Sequence, residues 1–163
     1  MATQLGTAFK KLGHKIVFVY SPNISHAATL GTRLNTAWGK SLDALEQYPA
    51  DVCILAVKDD AIAEVVKKMP PLKNSLILHT SGATDISVLK KKFKNCGVLW
   101  QVQTMKAGTK IDFKEVPLVI EANNPSSKTK LMQLARSLSP KIYSLNSQQR
   151  RVCLLYTSDA ADE

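Results

Sequence analysis

The chain has 163 residues, 45% of them hydrophobic and 21% charged, the composition of one globular domain with its own core, which excludes a disordered chain. Its formal net charge is +9, but only 6% of residues are aromatic and none is interleaved with a lysine run. The basicity therefore reads as solvated helix faces and not as a nucleic-acid platform. No run of about 18 apolar residues is present to span a bilayer. Cys53, Cys96 and Cys153 show no disulfide framework, and these features point to the cytoplasm.

Met1, Leu5, Phe9 and Leu12 recur at helical spacing and Gly13 supplies a stop, so the chain opens on an amphipathic helix running into a strand at 16–20, IVFVY. Residues 24–34 suit a helix, 35–38 (NTAW) a short strand, and 42–48 a short helix with Ser41 as its N-cap. The run 51–57, DVCILAV, is apolar on both faces, as a buried parallel strand is. Asp59 and Asp60 open a helix over 61–69, either carboxylate being a candidate cap, and Pro70 and Pro71 end it. A second buried strand, 75–79 (SLILH), leads through TSGATD into a helix reaching about Phe93. Strands over 97–103 (GVLWQVQ) and 117–122 (PLVIEA), a helix over 126–138 and a strand over 141–146 (KIYSLN) complete the pattern before SQQRR begins another element. Alternation of this kind predicts an α/β fold with a doubly wound, mainly parallel sheet covered on both faces.

The end of the chain stands apart. CLLYTSDAADE, residues 153–163, looks like the translation of a sequencing-library adapter. The domain is therefore read as 1–152 and the remainder as a non-native tail, with a terminal strand at VCLLYT as the alternative. In parallel sheets ligands bind beyond the carboxyl ends of the strands. That rule selects four turns: Ser21 to Asn23, Lys58 to Asp60, His79 to Ala83, and Gln103 to Gly108.

The segments LGHKIVFVYSPN, ILAVKDDAIAEV, LILHTSGATDISVL, QVQTMKAGTKIDFKEVPLVIEA and IYSLNSQQRR, in this order, resemble the Rossmann-like, DUF2520 type of NADP-binding oxidoreductase. These proteins are related in their N-terminal domain to F420-dependent NADP oxidoreductases and pyrroline-5-carboxylate reductases. The resemblance runs from Ala2 to about Arg151. It implies a strand and a glycine-rich turn before residue 1, and a helical domain after NSQQRR that helps to form the substrate site and a homodimer. The chain is accordingly expected to be a Rossmann-like fold truncated at its N-terminus and poorly folded when made alone.

The cofactor expected is NADP, with NAD or F420 as alternatives, because the strand ends Val19-Tyr20-Ser21 without an acid to take ribose hydroxyls. Ser21 and Asn23 are the candidate donors, while Pro22 stands where the family commonly has Arg. The resemblance implies that Ala56, Val57, Lys58 and Asp60 lie along the adenosine side, and that Thr80, Ser81 and Gly82 approach the nicotinamide. Gly82 would permit close backbone approach and Ser81 would donate. Hydride transfer belongs to the cofactor. His79 is the candidate proton donor, because an imidazole ordinarily titrates near neutral pH, with a structural histidine as the alternative. Gln103 and Thr104 are placed at the site of an unidentified small-molecule substrate, and no spacing suggests a metal site. A non-catalytic nucleotide-binding regulator and a basic nucleic-acid-binding module are the competing readings.

Overall fold

The computed structural model describes residues 1–103 and 111–159. The helices are α1 (Ala2–Lys11), α2 (Ile24–Leu34), α3 (Ile62–Lys68), α4 (Ser87–Lys90), α5 (Pro125–Leu138) and α6 (Ser147–Asp159). The strands are β1 (Phe18–Tyr20), β2 (Ala37–Gly39), β3 (Val52–Leu55), β4 (Leu76–His79), β5 (Cys96–Gln101), β6 (Leu118–Ala122) and β7 (Ile142–Ser144). Five strands form one sheet in the order β3-β4-β5-β6-β7, parallel except for the antiparallel pair β5–β6. β1 and β2 make a separate parallel pair. This is the expected α/β, mainly parallel architecture.

Period-two alternation sends each strand's side chains to two cores. On one face Leu76, Leu78, Leu99, Leu118 and Ile120 pack with Leu5 and Phe9 of α1 and Leu131 and Ala135 of α5. On the other, Leu55, Ile77, Val98, Trp100 and Val119 pack with Ile62 and Val66 of α3 and Leu89 of α4. Each fully buried leucine contributes about 1.5–3 kcal/mol by leaving water, so β4 and β5, buried along their whole length, carry the centre of the domain.

Local chemistry sets several boundaries differently from the sequence pattern. Asn35 does not begin a strand: at φ 49° it is the left-handed C-cap of α2, a conformation asparagine tolerates. The short helix expected over 42–48 contracts to a 3₁₀ turn, Asp43–Glu46, entered by the Asp43 N–H donating to Ser41 Oγ at 3.3 Å. Asp59 and Asp60 lie in a 3₁₀ turn ahead of α3 without a side-chain capping bond. The helix expected to reach Phe93 is the single turn α4. SQQRR opens α6, which continues to Asp159, so VCLLYT is helical and not a strand, and Cys153 and Leu154 pack against the core. Asn146 and Gln149 cap α6 reciprocally, each side-chain oxygen accepting the other's backbone N–H at 2.9 Å.

The two sheets are separated by an apolar cleft of about 280 Å³, lined by Leu5, Phe9, Val19, Tyr20, Ile54 and Leu55 among others. Among the described residues β1 pairs only with β2, and β3 only with β4, so each keeps one edge without a described strand partner. Among the described residues no helix is long and apolar enough to cross a membrane.

Candidate functional site

Parallel pairing of Leu55 with His79 places the ends of β3 and β4 side by side, so the 56–60 turn adjoins the 79–82 turn. Ala56 and Val57 line the cleft together with Val19 and Tyr20, and Ser21 follows directly on β1. Three of the four expected turns thus gather where β1, β3 and β4 end. Gln103 stands exposed beyond β5 and lines a separate hollow with Ile111, Asp112 and Pro117; Thr104 lies outside the described residues.

The first turn is built on hydroxyl and amide groups. Ser21 Oγ accepts the Asn23 N–H at 3.3 Å. Asn23 is the N-cap of α2, its Oδ1 accepting from Ser25 N–H at 3.0 Å and from His26 N–H at 3.4 Å. No carboxylate stands at the end of β1 or in the first turn of α2, which suits an anionic group. Lys58 and Asp60 are exposed, as are Arg33 and Lys40.

The second turn is held from within. His79 is fully buried, and its Nδ1 accepts the Ser81 N–H at 3.2 Å. That bond assigns the proton of the neutral ring to Nε2, which finds no partner in hydrogen-bonding geometry although the Asp85 main chain lies close. Ser81 Oγ accepts the Thr84 N–H at 2.9 Å and keeps its own hydrogen to donate. Burial, and then the Arg150 cation, lower the His79 pKa to about 4, with the Asp85 main chain and carboxylate opposing them. The folded state therefore resists a proton that the unfolded chain takes up near pH 6.5. Stability contributed by the neutral ring is complete above that pH and is lost as pH falls toward 4, by about 1.4 kcal/mol per pH unit.

Gly82 is needed for packing. A Cβ there would meet Trp100 Cε2 at 2.5 Å, so the space a side chain would fill is taken by the indole from β5. G82A should displace Trp100 or the turn and destabilise the domain by about 1–3 kcal/mol. Urea denaturation measures that cost, and unchanged stability would contradict it.

The sequence pattern did not single out Arg150, Glu121 and Ser147, which clamp this turn from outside. Arg150 pairs with Glu121 and donates to the Thr84 carbonyl at 2.6 Å. Ser147 Oγ donates to Glu121 Oε2 at 2.9 Å and accepts the Ile86 N–H at 3.1 Å. Burial pushes the Cys53 and Cys96 thiols up to about 11, so neither is a nucleophile at neutral pH. Among the described residues no group of three His, Cys, Asp or Glu is placed to hold a metal ion.

Residues 1–82, from α1 through the His79 turn, match the sequence model of the family described as NADP oxidoreductase, coenzyme F420-dependent. The chain belongs to this family. A crystal structure from Bacteroides fragilis, assigned as an NADP oxidoreductase, is 30% identical with a TM-score of 0.85, over 99% of this chain and 62% of that one. A reductive aminase from Aspergillus terreus, solved with NADPH and ethyl-5-oxohexanoate, shares the fold at TM-score 0.76 and 15% identity, over 99% of this chain and 58% of that one. Prephenate dehydrogenase from Aquifex aeolicus, solved with NAD+ and hydroxyphenyl propionate, does so at TM-score 0.76 and 10% identity, over 92% and 58%. The chain thus spans about three-fifths of the length of the structures it matches. No curated protein matches the sequence.

Proposed function

We propose that this chain is the dinucleotide-binding domain of an NADP-dependent oxidoreductase of the Rossmann-like, DUF2520 type, its domain reaching from residue 1 to about 152. The observation that carries the reading is the gathering of the 21–23, 56–60 and 79–82 turns where β1, β3 and β4 end, with no acid at the end of β1. An acid there would bind ribose hydroxyls and repel a 2′-phosphate. The hydroxyl of Ser21 and the uncharged Asn23 turn fit the phosphate instead. Ala56, Val57, Lys58 and Asp60 flank the adenosine side, and Thr80, Ser81 and Gly82 face the nicotinamide.

When bound, the nicotinamide supplies hydride transfer. The chain's own residues orient it. Ser81 offers its hydroxyl hydrogen, while a buried, neutral His79 shapes the turn and does not deliver a proton at neutral pH. Gln103 and Thr104 belong to the substrate side. The substrate itself is a small molecule whose pocket is completed by more protein than these residues, and the complete enzyme is a homodimer.

Fluorescence titration with NADPH, NADH and F420 tests the cofactor. NADPH should bind about tenfold tighter than NADH, a difference of about 1.4 kcal/mol, and S21A should erase most of that margin. Equal affinities would exclude the assignment of the 21–23 turn. The buried state of His79 also suits a second reading, a nucleotide-binding regulator without turnover. Binding of NADPH without oxidation of it by any carbonyl or imine substrate would favour that reading.

A further inference from the structure

Arg150 is the one arginine that is fully buried among the described residues, and it ties two distant parts of the chain together. The Asn146–Gln149 cap sets the start of α6 so that Arg150 reaches the sheet face that carries His79 and Trp100. One nitrogen of its guanidinium meets the Glu121 carboxylate. The other donates to the Thr84 carbonyl at 2.6 Å and reaches Ser147 Oγ at 3.4 Å. The turn after β4 is therefore gripped at two places. His79 Nδ1 holds the Ser81 N–H at its beginning, and α6 holds Thr84 and Ile86 at its end.

Both grips act on one turn, from β4 and from α6. A guanidinium is a permanent cation. Its neighbour His79 can accept the Ser81 N–H only while Nδ1 carries no hydrogen, because an imidazolium would oppose one N–H with another. The groups around His79 are the Arg150 cation from α6 and Asp85 from the turn. Asp85 is engaged by the Ser87 N–H at 2.9 Å and by Arg151 at 3.5 Å. Arg150 in turn is answered by Glu121 of β6.

We infer that Arg150 is a positioning residue for the cofactor-facing turn: held in place by Glu121, it fixes Thr84 at the far end of the turn while the His79 imidazole fixes Ser81 at its beginning. That Ser81 faces a cofactor rests on the function proposed above. The grip of Arg150 on the turn is tested separately from it.

Nuclear magnetic resonance of the whole chain reads amide exchange at the turn and at the centre of β4. Two variants separate charge from packing. R150K keeps the cation, whereas R150M/E121M replaces the ion pair by apolar groups of similar length and leaves no charge stranded. R150K should leave exchange at Ser81 and Ile86 near that of the wild type. The double variant should speed it about tenfold at both while leaving Ile77 of β4 unchanged. A purely structural Arg150 would speed all three amides together, so uniform acceleration, or none in a folded double variant, overturns the inference. NADPH titration of the same samples tests the cofactor. Weaker NADPH binding in the double variant supports the positioning role. A wild-type chain that binds no NADPH overturns the proposed function and leaves the grip of Arg150 on the turn to the exchange data.

Discussion

R150M alone should destabilise the domain by about 3–5 kcal/mol, whereas R150M/E121M should stay within about 1–2 kcal/mol of the wild type. Arg150 is fully buried and Glu121 is 14% exposed, so removing the guanidinium strands a carboxylate on β6 with Ser147 as its remaining donor. The Thr84 carbonyl loses its partner as well, which adds the cost of an unsatisfied acceptor, about 1–3 kcal/mol. Against a total stability of about 5–15 kcal/mol, the single variant is near the threshold of folding. Removing both charges lifts the larger part of the penalty because no charge is left stranded, although the Thr84 carbonyl and the Ser147 hydroxyl still lose a partner, and methionine fills the volume of each side chain adaptably. Urea denaturation of the three proteins decides the matter. If the single and double variants were equally unstable, the cost would lie in lost packing of α6 and not in the stranded charge.

The central strands were legible because they are apolar on both faces over their whole length. SLILH gives Leu76–His79, buried throughout, and DVCILAV contains Val52–Leu55. The sequence pattern marked GVLWQVQ and PLVIEA as strands without their relative direction, and the antiparallel β5–β6 pairing is seen only in the fold. Shorter elements were misread where one residue's backbone preference outweighed the pattern. Asn35, placed in a strand by its neighbours, takes the left-handed cap of α2. In the candidate site the turns were visible as polar or glycine-bearing segments after apolar strands. Their supports were not, because Arg150 stands 66 residues from Thr84 and 29 from Glu121 and pairs with them only through the fold. The reciprocal Asn146–Gln149 cap was the available signal, and it marks the start of the helix that presents Arg150. Gly82 was singled out for close backbone approach, and the signal did not show that the space a Cβ would fill there is taken by Trp100.

Native-state hydrogen exchange should divide the molecule along the cleft. The Ser21 N–H, which donates to the Gly39 carbonyl at 3.2 Å, should exchange at least about a hundredfold faster than that of Ile77, which donates to the Asn95 carbonyl at 3.0 Å. That ratio corresponds to about 3 kcal/mol between a local opening and global unfolding. β1 and β2 pair over three residues, are only partly buried, and form a two-stranded sheet, an arrangement that is marginal by itself. What ties them to their surroundings is side-chain packing, Phe18 stacked on Tyr48 at 4.7 Å and Trp38 seated against Gly31 of α2, and α2 is in turn joined to α1 by the Lys10 ammonium donating to the Leu34 carbonyl. β4, by contrast, is flanked by strands on both sides and buried along both faces. The Ser21–Asn23 turn therefore rides on the weaker part and the His79–Gly82 turn on the stronger. A dinucleotide bridging them, as proposed, would have to order the β1 side on binding. NADPH should then slow exchange at Ser21 far more than at Ile77. Uniform protection of both amides without ligand would mean that packing across the cleft already welds the two sheets into one cooperative unit.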